Sequence, residues 1–227
     1  MSLSLVAAIL ISATQMQADI GARAEADRLI AMCRDALDDD DGVSVVERTM
    51  CFSGHTEAPT LDAFRKADAA VYDQVVLRSA GGDVETALMI AERWLERGLE
   101  RVIVWDYCLS SCANWLFLAG ETKIQKSPSV IAWHGGPGRP ESLTPEQEPY
   151  REALTELYER SEAFYEAVNV DSSIMYTVPD GAQFDYDNPT MSFWIAPREV
   201  LEAAGVKGLV IYDGVPQGEG SISFTIR

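Results

Sequence analysis

The stretch between residues 72 and 120 constrains the fold more than any other part of the chain. YDQVVLRS has an apolar centre, and DVETALMIAERWLERG repeats apolar residues at helical spacing and stops at Gly98. LERVIVWDY is again a short apolar run, and SCANWLFLAG is apolar nearly all round. A strand with a buried centre, an amphipathic helix and a second such strand imply parallel pairing through a right-handed crossover. A helix that is apolar on every side belongs in an interior. The pattern predicts an α/β domain.

The flanking segments extend it. Residues 19–38 carry Ala22, Ala26, Leu29, Ile30, Cys33 and Leu37 at helical spacing, and the acidic run DDDDG ends that helix. VVERTMCFSG reads as a strand, TLDAFRKADAAV as a helix, and TKIQKS and SVIAWHG as short strands. Beyond His134 the texture changes. GGPGRPESLTPEQEP is a turn-rich connection, and YREALTELYERSEAFYEAVNV is a long helix whose aromatic side suits packing or a subunit contact. DGAQFDYDNPT reads as a polar loop, APREVLEAAG as a short helix stopped by Gly205, and GLVIYD as the last strand. With no internal repeat and no linker, residues 19–227 read as one domain with a C-terminal helical arm. Residues 1–18 have an apolar stretch from Leu3 to Ala13 followed by small and polar residues. That suits either a secretory signal or an N-terminal helix, and the stretch is too short to span a bilayer.

Composition narrows the function classes. Apolar residues make up 47% of the 227, enough for a substantial core, and the net charge of −18 argues against nucleic acid and against an anionic membrane surface. The four cysteines, Cys33, Cys51, Cys108 and Cys112, allow two disulfides in an oxidising compartment or four buried thiols in a cytosolic one. Their spacing is not that of a zinc site, and no metal is expected. Cys108 and Cys112 stand at i and i+4, close enough to bridge a strand end to a helix start if their Cα atoms approach within about 7 Å.

Three pieces could carry chemistry. In RSAGGDVETA a strand ends at Ser79, Gly81 and Gly82 follow, and a helix begins near Asp83. Such a turn exposes N–H groups near a helix N-terminus, where an oxyanion is welcome, or it is only a tight connection. In WDYCLSSCA a strand runs into Ser110 and Ser111 at the head of the buried helix, where a hydroxyl serves as a nucleophile or as an N-cap. In SVIAWHGGPG, His134 ends an apolar strand before a glycine turn, where a general base is delivered to the rim of a sheet. His55 lies in a separate polar turn, FSGHTE.

In that order and spacing, the three pieces resemble the Clp protease proteolytic subunit and its relatives in the Clp/crotonase superfamily. The resemblance covers residues 46–135 well and 190–213 loosely. The Cys-x-Ser-x-Cys arrangement looks like a periplasmic branch of that group. The resemblance implies a spiral of ββα units and a serine hydrolase, a peptidase or related amidase, that needs no cofactor. Its substrate would be a peptide or protein, and its assembly a homo-oligomer to which the helix over 150–170 contributes. Location in the periplasm or outside the cell follows, with the cytoplasm the alternative.

Residue by residue, RSAGG matches the family's Ser-Pro-Gly-Gly turn with Ala80 in place of proline, so Gly81, with Gly82 beside it, would form the oxyanion hole. DYCLSSCA fits the nucleophile pattern with Ser110 as nucleophile and Ser111 donating its N–H to the oxyanion. Asp106 stands where the family has glycine, and counting back from Gly120 favours Ser111 as nucleophile instead. His134 matches the base. Where the family places the acid, this chain has Ser192 and Phe193, which leaves Asp187 or Asp185 upstream as the third member, or a Ser–His dyad. Two other classes stay open: a crotonase-like acyl-thioester enzyme, and an inactive scaffold that binds a partner.

Overall fold

Strands β3 (Gln74–Ser79) and β4 (Arg101–Leu109) show why the central sheet is covered on both sides. Successive side chains leave a strand on opposite faces. Val75, Leu77, Val102 and Val104 join one apolar cluster, while Val76, Ile103 and Trp105 join another. Runs apolar on both faces need a layer on each. The computed structural model, which describes residues 21–126, 128–176, 190–211 and 220–225, supplies them. Helix α1 (21–36) covers one face with Ala26, Leu29 and Cys33. The other face carries α2 (Ala58–Ala67), α3 (Val84–Arg97), the segment Cys112–Ala119 and α4 (Arg151–Val168), through Phe64, Leu88, Trp94, Trp115 and Phe164.

The sheet also contains β1 (Gly42–Val46), β2 (Thr49–Ser53), β5 (Thr122–Gln125), β6 (Val130–Ala132) and β8 (Leu209–Ile211), in the order β1-β2-β3-β4-β5-β8, with β6 paired to β4. Every pairing is parallel except β1 with β2. This is the α/β architecture read from the sequence. Helix α3 has the ends its sequence announced: the Asp83 side chain accepts from the Thr86 N–H, and Gly98 takes the left-handed conformation that stops it.

Strand β4 serves two neighbours on one side, β5 along Arg101–Val104 and β6 along Tyr107–Leu109. Between them its register against β3 shifts, from Leu77 opposite Val104 to Ser79 opposite Cys108, and Asp106 adopts φ +63. The departure from glycine at this position therefore keeps glycine's conformation. Aspartate is one of the few side chains that tolerates it, at a cost of about 1–2 kcal/mol. Asp106→Gly is expected to melt within about 1 kcal/mol of the parent, and the β-branched Asp106→Val to lose about 2 kcal/mol, in thermal unfolding.

Three elements differ from the expectation. VVERTMCFSG is not one strand but most of the hairpin β1–β2, turning at Glu47 and Arg48, both at positive φ. Two-residue hairpin turns favour Asn-Gly or Asp-Gly, so Glu-Arg carries no turn signal. The turn is held instead by ion pairs from Arg28 to Glu47 and from Arg48 to Asp73. The segment SCANWLFLAG contains a wider π turn, Cys112–Leu116, with Phe117 N–H donating to Cys112 O, and then a 3-10 turn, Phe117–Ala119. A stretch apolar on all sides has no periodicity from which such a turn could be read. Finally, β8 is not the last strand: β7 (Thr190–Ile195) and β9 (Gly220–Thr225) pair antiparallel as a second, two-stranded sheet. Helix α5 (Arg198–Ala203) precedes Gly205, at φ +96.

Two disulfides lock buried cysteines. Cys33–Cys51 joins α1 to β2, and Cys108–Cys112 closes a ring of the chain around the two serines, with Cα atoms 5.2 Å apart. The acidic run at 38–41 is partly consumed by cations, Arg34 pairing with Asp39 and Arg78 with Asp41. Residues 1–18 lie outside the described residues. Among the described residues, no helix is long and apolar enough to cross a membrane.

Candidate active site

Three chain segments meet beyond the carboxyl ends of β3, β4 and β6, the side of an open parallel sheet where ligands bind. Ser110 follows β4. Its N–H donates to Ala132 O at 3.0 Å, and its carbonyl accepts from the Asn114 N–H at 2.9 Å. Its own φ is +56, so a non-glycine residue stands in the left-handed region between strand and helical turn. That reversal presents a half-buried hydroxyl rather than burying it in the helix, and the Cys108–Cys112 bridge spans it. Ser110 Oγ lies 2.5 Å from His134 Nε2.

His134 reaches this place because β6 pairs with the end of β4, Ala132 opposite Leu109. The next residue, Trp133, exchanges two main-chain hydrogen bonds with Trp194 at 2.7 and 2.8 Å. Strand β7 thus braces the histidine, and the Phe193 ring packs edge-on against the imidazole, centroids 5.0 Å apart at 86°. Burial of the ring lowers the His134 pKa from its ordinary value; an interaction with its own main chain works the other way. Of Ser192 and Phe193, the two residues where the resemblance looks for an acid, Phe193 is the one whose ring packs on the imidazole. Asp187 and Asp185 lie outside the described residues.

The glycine turn after β3 lies directly against the serines. Gly81 has φ +84, and a Cβ there would stand 2.6 Å from Leu109 O, 2.8 Å from the Ser110 Cβ and 2.8 Å from Ser111 N. Only glycine fits so close an approach. The Gly81 N–H, the expected oxyanion donor, donates to the Ser79 hydroxyl at 3.1 Å. Ser111, 2% exposed, donates its hydroxyl to Gly82 O at 2.8 Å, which commits that side chain to the turn, away from the imidazole.

One contributor went unnoticed in the sequence. Thr56 donates its N–H to Gly81 O at 2.8 Å, and its carbonyl accepts from the Asp83 N–H at 2.7 Å, so it clamps the glycine turn from the far side. A Cβ on Gly82 would stand 3.0 Å from Thr56 O. The only signal was its place in the FSGHTE turn after β2, where the neighbouring His55 drew attention; His55 is exposed. The arrangement as a whole offers a hydroxyl on a neutral-leaning imidazole, with main-chain N–H groups of a glycine turn and a helix start beside it.

No family model matches the chain, and no curated protein matches it. Among solved structures, it is similar to the catalytic domain of the ClpP protease from Plasmodium falciparum, at 12% identity and a TM-score of 0.45, over 73% of this chain and 85% of that one.

Proposed function

We propose that the protein is a serine hydrolase of the Clp/crotonase type, acting on peptide or related amide bonds, with Ser110 as nucleophile and His134 as base. The observation that carries this reading is the 2.5 Å approach of Ser110 Oγ to His134 Nε2. Ser110 Oγ attacks the substrate carbonyl and its proton passes to His134 Nε2. The oxyanion takes the N–H groups of Gly81 and Ser111, the carbonyl oxygen displacing the Ser79 hydroxyl from the first of these. Collapse of the intermediate returns the proton from His134 to the leaving amine, and water then releases the acyl group by the reverse sequence. The chemistry calls for no cofactor. A carboxylate, Asp187 or Asp185, completes the site as a triad; otherwise His134 works as a dyad base. The two disulfides suit an oxidising compartment, and assembly as a homo-oligomer belongs to the same reading.

The test is reaction of the purified protein with a fluorophosphonate probe, alongside hydrolysis of a mixed peptide library. Labelling and turnover, both lost in His134→Ala, are expected. Binding of peptides with neither would favour a second reading, a non-catalytic scaffold, to which the contact of Phe193 with the imidazole lends support.

The buried imidazole also sets the pH profile. A base works only unprotonated, and burial lowers the His134 pKa. The acid limb of kcat/KM should therefore fall at a pH below about 6.5, the ordinary histidine value. In a profile measured between pH 4 and 8, activity already halved on acidification before pH 7 is reached would contradict His134 as the base.

A further inference from the structure

We infer that Asn114 is a positioning residue for this site, tying the loop that carries His134 to the turn that carries Ser110. The inference rests on the hydrolase reading. Asn114 is 1% exposed and sits among Cys112, Ala113, Trp115 and Leu116, all buried. A primary amide costs about 1–3 kcal/mol to bury without partners. Its Nδ2 donates to Gly135 O at 2.7 Å, a contact that also fixes which end of the amide faces the carbonyl. Its Oδ1 is buried and meets no donor among the described residues. A half-satisfied amide is a poor way to fill a core, and an aliphatic side chain would pack there without an orphaned acceptor. What the amide adds is the one bond to Gly135.

The place of that bond is specific. Gly135 follows His134, at φ +132, and is itself followed by Gly136, so this side of the loop has little intrinsic stiffness. The other side is held by β6 and the Trp133–Trp194 bridge. Asn114 grips the soft side, and its main-chain N–H already donates to Ser110 O. One residue is thus bonded through its backbone to the nucleophile and through its side chain to the residue after the base. Releasing the side-chain bond lets the imidazole drift relative to Ser110, and a displacement of about 1 Å can cost about 100-fold in rate.

The experiment compares Asn114→Leu and Asn114→Ala with the parent in the full chain. Leucine adds volume and alanine removes it, so an effect common to both follows the lost donor and not the packing. Both are expected to lower kcat about 10- to 100-fold with KM within about twofold. Both are also expected to raise the His134 titration midpoint, followed by proton NMR with His55, the only other histidine, as reference signal. A folded variant of either kind with parental kcat and an unmoved His134 midpoint would overturn the inference. If the parent itself neither reacts with fluorophosphonate nor turns over peptide, the hydrolase reading fails. The NMR midpoint still decides whether Asn114 positions the ring: raised in both variants, it does; unmoved, it does not.

Discussion

Ser110→Ala is expected to abolish fluorophosphonate labelling and to lower kcat/KM by about 10³-fold or more, while Ser111→Ala keeps the label. Loss of a nucleophile removes the covalent path altogether, and a 10³-fold loss corresponds to about 4 kcal/mol of transition-state stabilisation. The two adjacent serines differ in what their hydroxyls touch. The Ser110 hydroxyl lies 2.5 Å from His134 Nε2, whereas that of Ser111 donates to Gly82 O. Removing the Ser111 hydroxyl sacrifices one buried hydrogen bond, about 1 kcal/mol of stability, and leaves its main-chain N–H in place for the oxyanion. Its activity should stay within about tenfold of the parent. Probe labelling followed by peptide mapping, with kcat/KM on the best library substrate, separates the two. Retained labelling at the parental rate in Ser110→Ala would remove Ser110 from the mechanism.

Gly81→Ala is expected to damage stability and activity together. The new Cβ would lie within 2.8 Å of three atoms, Leu109 O, Ser110 Cβ and Ser111 N, none of which is the yielding end of a flexible side chain. It would also be held at φ +84, where an L-residue is strained. The backbone of the glycine turn must retreat from the serines, and the site opens with it. A loss of about 2–4 kcal/mol in stability and more than about 100-fold in kcat is expected, from chemical denaturation and steady-state kinetics. Gly98→Ala separates the two causes. Gly98 is also left-handed, at φ +66, but a Cβ there meets nothing within 4 Å. It should cost only about 1 kcal/mol and leave kcat alone. Equal effects at the two glycines would mean that backbone strain, not the approach to Ser110, makes Gly81 indispensable.

What the sequence determined by itself is what depends on near neighbours along the chain. The apolar centres of YDQVVLRS and LERVIVWDY, with an amphipathic helix between them, were sufficient for parallel strands and a crossover, because burial periodicity is written within each element. The ends of α3 were equally legible, since Asp83 and Gly98 act within one turn of the helix. The Glu47–Arg48 hairpin and the Asp106 bulge were not, because both put non-glycine residues at positive φ, where the sequence carries no glycine to announce the turn. Strands β7 and β9 were missed for a related reason: each finds its partner only across a long stretch of chain. The site followed the same division. Serine, histidine and glycine turn were visible as residue types at the ends of strands, but nothing local distinguished Ser110 from Ser111. The tertiary structure separates them. β6 pairs with the end of β4, β7 bridges to Trp133, and Gly81 closes against Leu109, so that one hydroxyl faces the imidazole and the other is spent on Gly82. Those approaches are set by main-chain hydrogen bonds and packing between segments distant in sequence, and no spacing along the chain encodes them.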